Sequence, residues 1–226
     1  MANWSAYWEE NSRKANPHAQ VGRTLRGEPV TRQQFEAIVA DIEDSLDVQS
    51  GDRLLDLCCG NGMITERLAR RCASVVAVDM IPNFVRDARF RNHSITTLCR
   101  DIRQGIPLPA GYFDKALLYF SLQYFTQAET VRLLDDIRAL LKPGGVALLG
   151  DIPDATRIWE FFNSTECRAA YFDGLQRDEP IIGTWFDPSW LTAAAAHCGL
   201  AADIRLQPDR LPNSHYRFDL RATRCS

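Results

Sequence analysis

RLLDLCCGNGM, residues 53–63, is the most informative stretch of this chain. RLLDLC reads as a buried β-strand, and the glycine-rich turn after it leads into MITERLARRC, a predicted helix over 63–72. A strand, a glycine turn and a helix N-terminus commonly form a nucleotide site. The free N–H groups of the helix bind phosphate or hydroxyl oxygens, and glycines let a ligand approach the backbone. The adjacent Cys58 and Cys59 are unusual in such a turn, and their role has to be explained.

The cysteines do not form a recognisable metal or redox motif. Seven of them are scattered along the chain, without a C-x-x-C pair and without a Cys/His cluster at zinc spacing. Adjacent cysteines rarely form a disulfide, because the geometry is strained. We therefore predict reduced cytoplasmic thiols, no metal site, and a space-saving role for Cys58 and Cys59 in the turn.

Strands and helices alternate after residue 52. The strands are predicted at 53–58, 74–79, 95–99, 113–120 and 146–152, and the helices between them at 63–72, 83–91 and 127–141. Near-continuous apolar strands in this order indicate a parallel sheet that is covered by helices on both faces. An additional amphipathic helix over 30–46 is predicted to start at a capping box formed by Thr31 and Gln34.

The last third of the chain departs from this alternation. Residues 155–172 are predicted to be helical, and a helix over DPSWLTAAAAHCG starts at Asp187 and stops at Gly199. Two strands, LAADIRLQ and HYRFDLRAT, follow with a short loop between them, which requires an antiparallel pair. The predicted fold is α/β, a Rossmann-like three-layer sandwich whose mostly parallel seven-stranded sheet has one antiparallel edge strand.

Composition narrows the class of protein. The chain has 226 residues, of which 46% are hydrophobic, and its net charge is −3. These values predict a single globular domain. The arginines occur in ones and twos without a basic groove, so we expect no nucleic-acid partner. No apolar run is long enough to span a membrane and the N-terminus has no signal core, so a cytoplasmic location is expected, without a membrane partner.

The glycine turn fits neither of two common nucleotide motifs. A dinucleotide fingerprint would need glycines at 58, 60 and 63, but Cys58 and Met63 occupy two of these positions. A Walker loop would need a Gly-Lys-Ser/Thr ending, which is missing. The chain instead has Asp56-x-Cys58-x-Gly60-x-Gly62, followed by Asp79 at the end of the second strand, Asp101 after the third and LKPGG before the fifth.

This set of motifs resembles the class I S-adenosylmethionine-dependent methyltransferases, whose first motif is [D/E]-x-G-x-G-x-G. The resemblance covers residues 50–152 by motif and the rest of the chain by the order of elements. It departs from the family at Cys58, which replaces the first glycine and takes a positive φ less freely than glycine does. Similar variants with CCG in the first motif occur in this family, so the departure is compatible with the resemblance.

The resemblance implies S-adenosylmethionine as cofactor and a role for each matched residue. Asp56 would hold the turn and meet the methionine ammonium, and the turn residues Cys58, Gly60, Asn61 and Gly62 would face the methionine part and the ribose. Asp79 would accept both ribose hydroxyls, and Met80 would pack on the adenine. Asp101 and the N–H of Ile102 would read the adenine edge. Carbonyls near Tyr119 would receive the ammonium, and Arg23 could reach a carboxylate of the donor or of the substrate.

The resemblance also implies a division of the single domain of residues 1–226. We expect an N-terminal lid and helix in 1–49, a donor-binding core in 50–152, a helical lid region in 153–199 and the antiparallel strand pair in 200–226. The lids are rich in aromatic residues and indicate a closed pocket for a small molecule. These residues are Trp4, Tyr7, Trp8, Trp159, Phe161, Phe162, Tyr171, Phe172, Trp185, Phe186 and Trp190.

The residue that would deprotonate the acceptor is left open by the sequence. His18, His215 and Asp151 are the candidates, each with an ordinary structural role as the alternative. Gln123 stands where relatives often have histidine, which removes one common base. An alcohol acceptor needs a base, whereas an amine needs only to lose its proton.

The predicted function is therefore methyl transfer to an O or N atom of a small molecule, such as a sugar or a natural-product intermediate. A donor-binding partner subunit without activity and a protein or RNA methyltransferase are the alternatives. The identity of the acceptor and the oligomeric state do not follow from the sequence.

Overall fold

A computed structural model describes residues 4–179 and 181–225. Its centre is a seven-stranded sheet in the order β5-β4-β3-β6-β7-β9-β8. The strands are β3 (Arg53–Leu57), β4 (Ser74–Asp79), β5 (Thr96–Cys99), β6 (Phe113–Tyr119), β7 (Leu141–Pro153), β8 (Leu200–Leu206) and β9 (Arg217–Arg224). A small hairpin of β1 (Thr24–Leu25) and β2 (Glu28–Pro29) precedes them.

Helices cover both faces of the sheet. They are α1 (Trp4–Asn11), α2 (Pro17–Gln20), α3 (Arg32–Leu46), α4 (Met63–Leu68), α5 (Pro82–Arg91), α6 (Gln127–Leu140), α7 (Ile158–Phe161), α8 (Thr165–Gln176) and α9 (Pro188–His197). Capping boxes start α3 at Thr31 and α6 at Thr126. Each threonine hydroxyl accepts the N–H three residues later, so one free donor at each helix start is satisfied.

The alternation of side chains along each strand divides the core into two. Leu55, Leu118 and Leu149 point to one face, where they pack with the apolar side of α6 and α9. Their neighbours Leu54, Leu117 and Leu148 point to the other face, where they pack with α3 and α4. Because the strands are apolar on both faces, the sheet is buried between two helical layers, as the three-layer prediction requires.

The fold class is confirmed, and the structure adds detail to the strand pair at its end. β9 is the antiparallel strand: it pairs with β7 on one side and with β8 on the other. It lies one position in from the edge, which β8 occupies. Residues at the start of β9 therefore lie beside the carboxyl end of β7.

Two regions differ from the predicted elements. The helix predicted over 155–172 is interrupted, because Phe162 leaves the helical conformation and Ser164 caps a new helix, α8, through the N–H of Cys167. The N-terminal segment (residues 4–30) contains α1, α2 and the hairpin. These elements were not predicted, because the segment is polar and has no clear apolar pattern. No helix in the described ranges is long and apolar enough to cross a membrane.

Candidate active site

A cleft lies beyond the carboxyl ends of β3, β4 and β6, and we call it the donor cleft. Most of the predicted donor residues line it: Arg23, Asp56, Cys58, Gly60, Asp79, Met80, Asp101, Ile102 and Tyr119. The parallel register of the strands brings these residues together, because the loops that follow parallel strands all emerge at one edge of the sheet. Trp8 and Phe84 also line the cleft.

Asp79 is held by backbone donors at the end of β4. Its carboxylate accepts hydrogen bonds from the N–H of Gly60 and from the N–H of Ile81, both at 2.9 Å. Burial raises the pKa of Asp79 to about 6, and the hydrogen bonds from Ile81 and Gly60 oppose this rise. The side chain thus ties the second strand to the glycine turn and still lines the cleft.

Asp56 lies on the floor of the donor cleft and is 3% exposed. Its carboxylate accepts the Thr65 hydroxyl at 2.6 Å, which joins β3 to α4. Burial raises the pKa of Asp56 to about 7; the Thr65 hydrogen bond and the charge of Arg23 act in the opposite direction. Arg23 also lines the cleft, and its buried Nη1 has no hydrogen-bond partner among the described residues.

Cys58 has a backbone conformation that glycine adopts more freely than cysteine. Its φ is +55°, in the left-handed region, where a side chain is strained. Burial raises the pKa of the Cys58 and Cys59 thiols well above the usual value, so both are neutral. No group of three or more metal-binding side chains occurs among residues 4–179 and 181–225.

Asn61 and Gly62 belong to the glycine turn but do not line the donor cleft. Asn61 is 1% exposed, and its Nδ2 donates to the Pro17 carbonyl and to the Gln20 Oε1, each at 2.8 Å. Gly62 caps α4, and a Cβ there would lie 2.6 Å from Ala88 of α5. Asn61 therefore fastens the N-terminal segment to the turn, and Gly62 allows close packing of α4 on α5.

Asp101 is already engaged by a neighbouring arginine. Its Oδ2 lies 2.8 Å from Nη2 of Arg103, and Arg103 lowers the pKa of Asp101 despite its partial burial. The same Nη2 lies 3.8 Å from the Met80 sulfur. Arg103 thus lies across the Met80 and Asp101 side of the cleft.

A second, larger cavity adjoins the donor cleft, and we call it the aromatic cavity. Four side chains line both spaces: Trp4, Trp8, Phe120 and Tyr124. Phe161 and Tyr216 also line the aromatic cavity. Other predicted lid residues have different surroundings, since Phe162 and Phe186 are buried and Trp159 and Phe172 are exposed.

The three candidate bases lie in three different places. His215 is largely exposed and lines the aromatic cavity, and partial burial of its ring lowers its pKa. Asp151 is buried and lines a small neighbouring cavity together with Arg23 and Tyr119. The His18 ring packs against Phe35 at 5.2 Å and lines none of these three spaces.

Strained backbone marks the point where the two strands reach this region. Phe120, directly after β6, has a φ of +60°, and Asp151, within β7, has a φ of +58°. The Phe120 N–H donates to the carbonyl of Gly150 at 2.9 Å, so the two strained residues lie near the ends of neighbouring strands, β6 and β7. Non-glycine residues in this conformation concentrate at functional sites.

Arg217 is a cavity residue that sequence reasoning did not select. It is 2% exposed, lies at the start of β9 and lines the aromatic cavity. Arg217 occupies a polar position in the alternating strand HYRFDLRAT, which reads as an exposed face. The pattern does not reveal that β9 is an inner strand.

Comparison with known proteins identifies the family. A family model described as a methyltransferase domain matches residues 54–145. An uncharacterized methyltransferase of Synechocystis is 31% identical over 161 residues, which are 68% of this chain and 73% of that protein. The ubiquinone biosynthesis O-methyltransferase of Xylella fastidiosa is 32% identical over 174 residues, 71% of this chain and 67% of that protein.

Other relatives match over less of their length or only in fold. The chain spans 21% of the Salmonella 23S rRNA methyltransferases that it also matches. N-methyltransferase NodS of Bradyrhizobium japonicum, crystallised with S-adenosyl-L-homocysteine, superposes over the whole of both chains with a TM-score of 0.68 at 18% identity, and thus shares the fold. The chain belongs to the class I methyltransferases, whose cofactor is S-adenosylmethionine.

Proposed function

We propose that this enzyme transfers the methyl group to an oxygen or nitrogen atom of a small molecule bound in the aromatic cavity. One observation carries the proposal: Trp4, Trp8, Phe120 and Tyr124 line both the donor cleft and the aromatic cavity. A methyl donor in the first space and an acceptor in the second would meet at these rings. The rings would also keep water from the reacting atoms.

The nucleoside part of the donor would occupy the β4 and β5 side of the cleft. Asp79 would accept the two ribose hydroxyls while it keeps its backbone hydrogen bonds, since a carboxylate has lone pairs for about four donors. Met80 would pack on the adenine. Asp101 would accept from the adenine amino group, which requires Arg103 to share this carboxylate.

The methionine part would lie over β3 and β6. Asp56 and the carbonyl of Tyr119 would receive its ammonium group. The unpartnered Nη1 of Arg23 fits a carboxylate, because a buried guanidinium donor without a partner is costly. Cys58 and Gly60 would form the wall of the cleft beside this part, and Asn61 would act indirectly by fastening the N-terminal segment.

The protein's part in the reaction is alignment and proton transfer. S-adenosylmethionine, when bound, supplies a methyl group that is already activated as a sulfonium. The cleft and the cavity would hold donor and acceptor in line, which accounts for much of the rate in such displacements. His215 would take the proton of a hydroxyl acceptor through its neutral imidazole. The buried Asp151 is the other candidate base. His18 would have a structural role, packing against the Phe35 ring.

The relatives and the net charge of the chain favour a small acceptor over a macromolecule. The Xylella relative is named for a step in ubiquinone biosynthesis, which is a small-molecule pathway. The match to rRNA methyltransferases covers a fifth of their length, and the net charge of −3 does not favour RNA. We further propose a single cytoplasmic domain in which residues 1–49 and 153–199 close over residues 50–152.

A methyl-transfer screen tests the proposal. Purified protein would be incubated with tritiated S-adenosylmethionine and separate panels of phenols and amines, total RNA, and denatured cell protein. We expect label to enter members of the small-molecule panel only. Incorporation confined to RNA or protein would contradict the proposal, as would protein that binds no S-adenosylhomocysteine in calorimetry.

A further inference from the structure

Arg217 is a buried cation whose surroundings satisfy only part of its guanidinium. It enters the interior from the start of β9, and its side chain is 2% exposed. Buried charges are normally paired and have their donors filled, because water no longer solvates them.

The satisfied part of the guanidinium is Nη1. This atom donates to Oε1 of Gln123 at 2.7 Å and to the carbonyl oxygen of Asp151. The Asp151 carboxylate lies 3.7 Å from it, which balances charge without filling another donor. The guanidinium carbon lies 4.8 Å from the ring centre of Phe120 and 5.0 Å from that of Tyr216.

The unsatisfied part is Nε, which is buried and has no hydrogen-bond partner among the described residues. The carboxylate of Asp219, two residues further along β9, is engaged by other donors. Oδ1 of Asp219 accepts the Asp151 N–H at 2.8 Å and Nε2 of Gln207 at 2.9 Å. The protein therefore leaves a charged donor open where its own carboxylates do not fill it.

The position of Arg217 relates this open donor to the acceptor site. Arg217 lines the aromatic cavity together with Phe120 and Tyr124, and these two rings also line the donor cleft. A group bound at Nε would thus lie in the same cavity as Phe120 and Tyr124, the rings beside which donor and acceptor are proposed to meet. The nearby walls are aromatic, which suits an apolar body attached to that group.

We propose that Arg217 binds a carboxylate of the methyl acceptor, which is then a small acid with an apolar or aromatic body. The inference rests on the proposed function, because it names the class of acceptor for the same cavity. Guanidinium groups pair through Nε and a terminal nitrogen with both oxygens of a carboxylate, and this geometry also fixes the orientation of the bound acid. Arg217 is in this role a specificity-determining residue.

Benzoate and benzamide are suitable probes, since they have nearly the same shape and only benzoate carries a charge. Each would be titrated into protein saturated with S-adenosylhomocysteine, and binding would be followed by the fluorescence of Trp4 and Trp8, which line the cavity. We expect benzoate to bind at least about tenfold more tightly than benzamide.

Three variants assign this preference to Arg217. Arg217→Met should abolish it, and Arg217→Lys should reduce it while keeping the charge that Asp151 needs. Arg221→Met, on the same strand but hydrogen-bonded to Ser45 outside the cavity, should leave it unchanged. If Arg217→Met does not fold, the comparison of wild type with Arg217→Lys still decides the question.

Equal binding of the two probes to wild type, no binding of either, or an unchanged preference in Arg217→Lys and Arg217→Met would overturn the inference. Arg217 would then serve only to hold Asp151 and Gln123. The same titrations separate this failure from that of the proposed function. Protein that binds S-adenosylhomocysteine but shows no preference for benzoate loses the inference alone, whereas protein that does not bind S-adenosylhomocysteine loses both.

Discussion

The carboxylate of Asp79 accepts a hydrogen bond of 2.9 Å from the N–H of Gly60, which joins the end of β4 to the turn after β3. Asp79 and a second buried carboxyl group, Asp56, line the same cleft. Each is used by the fold and each is proposed to meet the donor. Their ionisation therefore links stability and ligand binding to pH.

Stability should fall as pH rises. Burial raises the pKa of Asp56 to about 7 and that of Asp79 to about 6, above the ordinary value of 3.8. The folded protein then holds these protons more tightly than the unfolded chain, so their stabilising effect is present at low pH and is lost as pH rises through about 6 to 7. Urea unfolding should give a lower free energy at about pH 8 than at about pH 5.

Asp56→Asn should reduce this dependence and leave the part due to Asp79, because the amide does not titrate. Asp173→Asn makes the same change of charge at an exposed position and should leave the dependence as in wild type. A slope that is identical in wild type and Asp56→Asn would show that Asp56 does not titrate in this range.

Replacing the first cysteine of the turn by glycine should stabilise the protein. Cys58 has a φ of +55°, and glycine adopts this conformation without the cost of about 1 kcal/mol that a side chain incurs. Cys58→Gly should raise the free energy of unfolding by about this amount and retain affinity for S-adenosylhomocysteine.

Cys59→Gly is the matched control, since Cys59 is not among the described residues with positive φ. There, added backbone freedom should destabilise by roughly 0.5–1 kcal/mol. Opposite signs for the two variants are the expected result in urea unfolding. Loss of stability in both would mean that the Cys58 side chain contributes more than its backbone strain costs.

Gly62 should tolerate alanine much less well than Gly111. Both have positive φ, at +76° and +61°, so both changes carry a backbone cost of about 1–2 kcal/mol. Only at Gly62 would the new Cβ meet backbone, 2.6 Å from Ala88 Cα, whereas nothing lies within 4 Å at Gly111. Chemical denaturation should therefore show an additional cost of about 1–3 kcal/mol for Gly62→Ala. Equal losses would indicate that α4 and α5 separate easily.

Asn61 should control the mobility of the N-terminal segment. Asn61→Ala removes two hydrogen bonds, to Pro17 and Gln20, and amide exchange in residues 4–30 should become faster. Exchange in α6 should not change and serves as the internal control. S-adenosylhomocysteine should slow exchange of the segment in wild type if it closes as a lid. Exchange rates that respond neither to the mutation nor to the ligand would indicate a fixed wall.

The architecture could be predicted from the sequence because strand and helix patterns are local. The apolar runs at 53–58 and 113–120 and the capping boxes at Thr31 and Thr126 each depend on a few neighbouring residues, and all appear in the structure. The resemblance to the methyltransferases singled out Asp79 and Asp101 as donor residues, and both line the cleft.

The remaining features depend on contacts that are distant in the chain. The sequence motif predicts that Asn61 contacts the methyl donor, but its side chain donates to the carbonyl of Pro17, 44 positions away. The folding of residues 4–30 depends on contacts such as that of Trp8 with Tyr124, which no local pattern contains. Arg217 acquires its significance from Gln123 and Asp151, which reach it only because β9 inserts beside β7.

Calorimetric titration of wild type and Asp79→Ala with S-adenosylhomocysteine tests the central claim, that the cleft around Asp79 holds the methyl donor through its ribose. Wild type should bind, and Asp79→Ala should lose about 2–4 kcal/mol of binding free energy, because two hydrogen bonds to a carboxylate disappear. Circular dichroism would establish that the variant is folded. Wild-type affinity in a folded Asp79→Ala variant would contradict the claim.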